Sequence, residues 1–226
     1  MNMKKTLAYS LAAVLCATAA SAVAKKEEPP QVTEDGLHLV PDSKLALVYA
    51  EPGADLKQYQ RIQLLDAYVA FKKNWERDQR SRSADPLRVS SKDVEKIKNN
   101  LSQEFQVVFK QILEDGGYEL VDEAADDVLL IRPAIINLDV AAPDTFSAGR
   151  SSSYTASAGE MTLYIELYDS VTGDLIAKAL DRRADNPARA GFYTWTNSVT
   201  NKAAADRILK GWAEILLDAL NEAKQQ

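Results

Sequence analysis

The stretch 159–183, GEMTLYIELYDSVTGDLIAKALDRR, constrains this chain most, because its pattern specifies a β-hairpin. Met161, Leu163, Ile165 and Leu167 alternate with Thr162, Tyr164, Glu166 and Tyr168. A period of two puts an aliphatic row on one face of a strand and aromatic or polar groups on the other. The alternation breaks at 169–174, where Asp169 and Ser170 can bond back to nearby amides and Gly173 can take the positive φ of a return turn. A second strand, 175–183, follows. The aliphatic face of such a hairpin needs a cover, and two amphipathic helices, one before it and one at the C-terminus, can supply it.

The first helix signal starts at Ser90, an N-cap with Asp93 three residues on, a variant of the capping box. Val94, Ile97, Leu101, Phe105, Val108 and Ile112 then recur at helical spacing until Gly116 and Gly117 end the run. The second helix spans about 201–223, with Ala205, Ile208, Leu209, Trp212, Ile215, Leu216, Ala219 and Leu220 on one stripe. Gly211 costs about 1 kcal/mol of helix propensity against Ala, which points to close approach of this helix to the sheet. Between these elements the pattern predicts strands at 45–49, 62–71, 118–121 and 127–140, and a single helical turn capped by Asp55. Pro133 lacks a backbone donor, so a bulge or an unpaired edge is expected there. Segments 72–88, 143–158 and 186–198 read as connections. The expectation is one α+β domain over 36–226, a mainly antiparallel or mixed β-sheet with two long amphipathic helices packed on one face.

Residues 1–24 read as an export signal: Lys4 and Lys5 precede a short apolar core, and Ala22-Val23-Ala24 forms a small-x-small cleavage site. The apolar run is shorter than the roughly 20 residues that a membrane span needs. No transmembrane span is therefore expected in the mature chain. Residues 25–35 are charged and Pro-rich and read as a disordered leader. Cys16 is the one cysteine. Lipid attachment at Cys16 is the alternative to cleavage at Ala24, although Leu15 stands where a small residue is wanted. With Cys16 removed, the mature chain has no disulfide, no thiol nucleophile and no zinc-cysteine site. The chain has 27 basic against 33 acidic residues, and the signal takes two of the basic ones. That acidity argues against nucleic acid as a partner.

Several stretches together resemble one family of bacterial envelope proteins, mostly lipoproteins, known only as a domain of unknown function and numbered three-three-one-three. They are Gly36-Leu37 with Pro41-Asp42-Ser43-Lys44-Leu45, Tyr49 and Pro52 leading to Asp55-Leu56 and Tyr59, Ser90 to Asp93, Leu167 through Asp174, and Trp212-Ala213. Order and spacing carry the resemblance, which covers most of 36–222. It implies an envelope location and brings no catalytic residues. The chain departs from the family at the lipid-attachment pattern around Cys16.

Candidate chemistry is sparse. His38 is the one histidine, so a Ser-His-Asp triad would have to use it and a multi-histidine metal site is ruled out. Asp126 and Asp127 are adjacent, and adjacent strand residues point to opposite faces. Ser151 to Ser153 has no nucleophile-elbow context. Two stretches stand as contact surfaces. Lys72, Lys73, Trp75, Arg77, Arg80 and Arg82 form a locally basic segment, read either as a surface for an anionic partner or as a solvated connection. Phe192, Tyr193 and Trp195 are either binding anchors or a plug over the core. The expected function is a non-enzymatic envelope binding or assembly factor without cofactor or metal, its partner an envelope protein or envelope component. A carboxylate-dependent small-molecule or glycan hydrolase is the alternative. Intact mass of the processed protein checks the export reading: an unlipidated chain starting at Lys25 is expected, and an acylated chain starting at Cys16 would contradict it.

Overall fold

The computed structural model describes residues 28–82, 89–140, 153–155, 159–185, 194–196 and 198–225. In chain order these residues form β1 (His38–Leu39), β2 (Leu47–Ala50), a 3-10 turn (Leu56–Gln58), β3 (Arg61–Leu64), β4 (Tyr68–Phe71) and α1 (Trp75–Arg82). Then come α2 (Ser91–Asp115), β5 (Glu119–Leu120), β6 (Val128–Val140), β7 (Ser153–Thr155), β8 (Gly159–Asp169), β9 (Leu175–Asp185), β10 (Thr194–Thr196) and α3 (Ser198–Gln225).

The β8–β9 hairpin is the middle of an eight-stranded mixed sheet of order β1-β2-β9-β8-β6-β3-β5, with β4 also paired to β6. Its turn closes as its composition dictates: the Asp169 carboxylate accepts from the amides of Val171 (2.9 Å) and Thr172 (2.8 Å), and Gly173 has φ 75°. Pairing is antiparallel from β1 through β6 and parallel among β6, β3, β4 and β5. Met161, Leu163, Ile165 and Leu167 are all buried on the face that α2 and α3 cover, in one cluster with Phe105, Phe109, Leu113, Leu209 and Trp212. The α+β class and the two long helices on one face are thus as expected.

Helix α2 starts where the sequence says, because Ser90 Oγ accepts from the Asp93 amide (3.2 Å) while the Asp93 carboxylate accepts from the Ser90 amide (2.9 Å). Helix α3 is fixed to the sheet by Asp181, 7% exposed on β9. Its carboxylate accepts from Trp212 Nε1 (2.7 Å), Arg183 Nε (2.9 Å) and the Ala46 amide (3.0 Å). The Arg183 guanidinium lies over Gly211: a Cβ there would come within 2.6 Å of Arg183 Nη1, and the guanidinium would have to shift.

Four expectations need correction. The single strand expected over 62–71 is two strands, and Pro133 is the reason. The Leu65 amide donates to Ile131 O (3.0 Å), so odd-numbered residues in this part of β6 face β3, and Pro133 faces the same side without a donor. The ladder breaks opposite it, and α2 takes up the freed carbonyls: Gln106 Nε2 donates to Leu65 O (2.7 Å) and Ser102 Oγ to Ala67 O (2.9 Å). A bulge lies further along β6, where Asn137 has φ 53° and the register with both β4 and β8 shifts.

The second correction is α1, in a segment expected as a connection. Trp75 and Gln79, four residues apart on one helix face, both donate to Val140 O (3.4 and 3.5 Å), and Trp75 stacks on Phe71 with ring centroids 4.1 Å apart. Third, order begins before Gly36: Tyr49 Oη donates to Pro30 O (2.9 Å), the Leu39 amide to Gln31 O (2.9 Å), and Lys178 pairs with Asp35. Fourth, the two segments expected as loops around the hairpin contribute a strand each, β7 and β10, paired antiparallel with residues 154 and 195 in register.

The anchoring of α3 is testable by substitution. Trp212→Ala should lose about 3–5 kcal/mol, the cost of emptying a buried aromatic site. Trp212→Phe keeps most of the volume but not the donor to Asp181, and should lose about 1–3 kcal/mol. Denaturant melts of both variants check the pair, and an unchanged stability in Trp212→Phe would mean that the hydrogen bond contributes nothing.

Candidate functional site

The basic segment expected as a contact surface divides in the structure. Trp75 is 3% exposed and packs with Val89 and Val94, so its ring is a core group and not a surface anchor; the correction follows from its stacking on Phe71. Arg77 is exposed, and its guanidinium sits 3.2 Å from the Asp78 carboxylate. Arg80 and Arg82 lie on α1, and their side chains are outside the described residues, as are Phe192 and Tyr193. Trp195 is on β10, its side chain likewise undescribed.

What Trp75 does is build the floor of a groove. Tyr68, Ala70, Phe71 and Lys72 from β4, Asn74 through Arg77 at the start of α1, and Lys98 from α2 line a cavity of about 480 Å³. Asn74, at φ 66°, turns the chain sharply out of the strand and into the helix, which brings Lys72 and Arg77 to the same rim. Tyr68 is 68% exposed. Three cations and one carboxylate, Glu76, line the groove. Lys72 pairs with Asp139 (3.0 Å) and Lys98 with Glu95 (2.9 Å), and hydrogen bonds to these partners raise both lysine pKa values. Both therefore stay charged well above neutral pH. Tyr68 and Lys98 were missed in the sequence because they are far apart along the chain, and only the pairing of β4 with β6 under α2 brings them together.

A second polar cluster occupies the sheet face turned away from the helices. Glu166 on β8 is 7% exposed and accepts from Tyr164 Oη (2.6 Å) and Arg132 Nε (2.7 Å), while Arg132 Nη2 donates to Tyr168 Oη (2.7 Å). Arg132 also lies over the Tyr168 ring, 5.0 Å from its centroid. Burial pushes the Glu166 carboxyl up, but the hydrogen bonds from Tyr164, Arg132 and Tyr168 outweigh it and leave it below its ordinary value. Burial and then Glu166 push the Tyr164 hydroxyl up. A carboxylate so held is a weak proton acceptor at neutral pH. Asp127 is likewise taken, gripped by Arg61 through Nε (2.9 Å) and Nη2 (2.5 Å). Its partner in the sequence argument, Asp126, takes no part in that grip. Among the described residues no three His, Cys, Asp or Glu side chains group so as to hold a metal ion, and no helix is long and apolar enough to cross a membrane.

A family described as "Protein of unknown function (DUF3313)" matches residues 35–216, in agreement with the resemblance read from the sequence. No curated protein matches the chain. Among solved structures the chain is similar to a PelC dodecamer subunit from Paraburkholderia phytofirmans, at 12% identity and TM-score 0.38, over 75% of this chain and 96% of that one. It is also similar to a minor lipoprotein from Acinetobacter baumannii, at 9% identity and TM-score 0.32, over 71% and 94% of the two chains. A DUF4136 family protein from Bacteroides thetaiotaomicron is similar at 12% identity and TM-score 0.34, over 75% and 94%.

The Glu166 cluster gives a pH prediction. Because its folded pKa is depressed, Glu166 contributes stability that is present above its unfolded value of about 4.3 and is lost as pH falls through the folded value. Melting curves between neutral pH and the acid limb should therefore show Glu166→Gln losing less stability on acidification than the parent. Parallel acid limbs would contradict this.

Proposed function

This chain belongs to the family described as a protein of unknown function, DUF3313, and we propose that it works in the cell envelope as a non-enzymatic binding or assembly factor. The export signal read from Lys4, Lys5 and Ala22-Val23-Ala24 supports the location. The groove between β4, α1 and α2 carries the binding role. Its floor is firmly packed, because Trp75 stacks on Phe71 and is buried with Val89 and Val94, and its rim presents charged ends and an exposed tyrosine. A rigid floor with adaptable polar groups at its edge is the usual make-up of a recognition surface. The titratable groups that geometry brings together, Glu166 and Asp127, are both held by arginine, which favours a structural role for them over hydrolysis.

Site-specific photo-crosslinking in intact cells tests the binding role. A crosslinking residue at Arg77, on the groove rim, should give a discrete adduct, and one at Val171, exposed on the far hairpin turn, should not. Equal labelling from both positions would remove the groove as the binding surface.

A further inference from the structure

Charge on this fold is sorted by end, and the strand registers fix the two ends. Asp169 opposite Leu129 sets the hairpin turn beside the start of β6, and Gly159 opposite Val140 sets the start of β8 beside its finish. The turn end is acidic. Glu51, Asp55, Glu119, Asp122, Glu123 and Asp126 are all exposed on it. They are placed there by the Glu51 amide on Ile176 O (2.8 Å), the Tyr59 hydroxyl on Asp169 (2.9 Å), the pairing of Glu119 with Arg61 and the Ser170 hydroxyl on Ala125 O (2.9 Å). Two cations at this end are committed, Arg61 to Asp127 and Lys224 to the face of the Tyr118 ring. The opposite end, where α1 is anchored to Val140 O and Val94 of α2 packs with Trp75, is basic. Its carboxylates are answered one for one: Asp139 by Lys72, Glu95 by Lys98, Glu160 by Arg182 and Asp78 by Arg77. Beyond these pairs, Lys73 and Lys92 are exposed and form no ion pair among the described residues, and α1 carries Arg80 and Arg82. Against that surplus stand Glu76 and Asp93, and Asp93 is engaged in the Ser90 cap.

We infer that the α1 end of the fold rests on the anionic headgroup surface of a phospholipid membrane, with the hairpin-turn end pointing away from it. The inference rests on the binding role proposed above and names the envelope component bound. The surplus cations are spread over the end of β4, α1 and the first turn of α2 instead of converging on one point, which suits a surface of many phosphates better than a single anion. Tyr68, 68% exposed at the groove rim, puts an amphipathic ring at the same end, where it can sit at headgroup depth. The acidic end does not cancel the attraction. Eleven-residue β8 separates the two ends by about 36 Å, several times the Debye length of about 8 Å at physiological salt. Repulsion of that end from the same surface selects one orientation.

Flotation of the full exported chain with defined vesicles tests this. Vesicles of phosphatidylcholine with phosphatidylglycerol should carry the protein up, vesicles of phosphatidylcholine alone should not, and salt of about 1 M should release it. Lys73→Glu with Lys92→Glu should weaken binding by about tenfold or more, whereas Lys57→Glu, the same change at the turn end, should leave it within about twofold. Both lysines of the double variant are exposed and outside the ion pairs, so its melting temperature should match the parent's. A fluorophore at Lys73→Cys should be quenched by a lipid-borne quencher, and one at Val171→Cys should not. Equal binding to neutral vesicles, equal quenching at both positions, or equal weakening by Lys57→Glu would overturn the inference. So would release by glycerol phosphate at matched ionic strength, which would mean a single-phosphate site. If the crosslink at Arg77 captures a protein while no vesicle binds, membrane docking fails and the binding role stands. If neither occurs, both fall.

Discussion

One buried carboxylate holds the two halves of this protein together. Asp181 lies on the helix-facing side of β9 and accepts from three donors of different origin: Trp212 on α3, Arg183 two residues along its own strand, and the Ala46 amide just before β2. Removing any one donor leaves a buried acceptor under-satisfied, so the position of α3, the entry to the edge strands and the orientation of Arg183 are coupled. Gly211 lies beside the same group, and a side chain there would displace the Arg183 guanidinium. Once α3 is placed, Leu209, Trp212 and Leu220 complete the core under β8 and β9, and α2 closes the rest of the face.

The elements with strong local signals were legible. The hairpin, the Ser90–Asp93 cap, the glycine stop after α2 and the stripe of α3 each follow from side-chain spacing alone, and Pro133 correctly announced a break in the pairing. What could not be read is where that break would fall. The consequence of Pro133 lies on a different strand, at residues 65–67, and depends on Ser102 and Gln106 reaching across from α2. Helix α1 was illegible for a related reason. Its inner face is one tryptophan and one glutamine anchored to Val140 O, and a polar anchor leaves no apolar period to detect.

The groove was half legible. Arg77 and Lys72 were singled out as a charge cluster, but Trp75 was read as a companion contact when it is the floor, because composition cannot say which way a tryptophan faces. The Arg132–Glu166 cluster had a visible signal, an arginine interrupting the aliphatic run of β6 and a glutamate among tyrosines on β8. Only the antiparallel register Arg132↔Glu166 joins them.

The account therefore turns on Asp181, and a double-mutant cycle in denaturant melts of Asp181→Asn, Trp212→Phe and the two combined addresses it most directly. The account predicts that the combined variant loses less than the sum of the two single losses, by about 0.5–3 kcal/mol, because both substitutions remove the same contact. Additive losses would show that Asp181 and Trp212 act independently and would contradict the account.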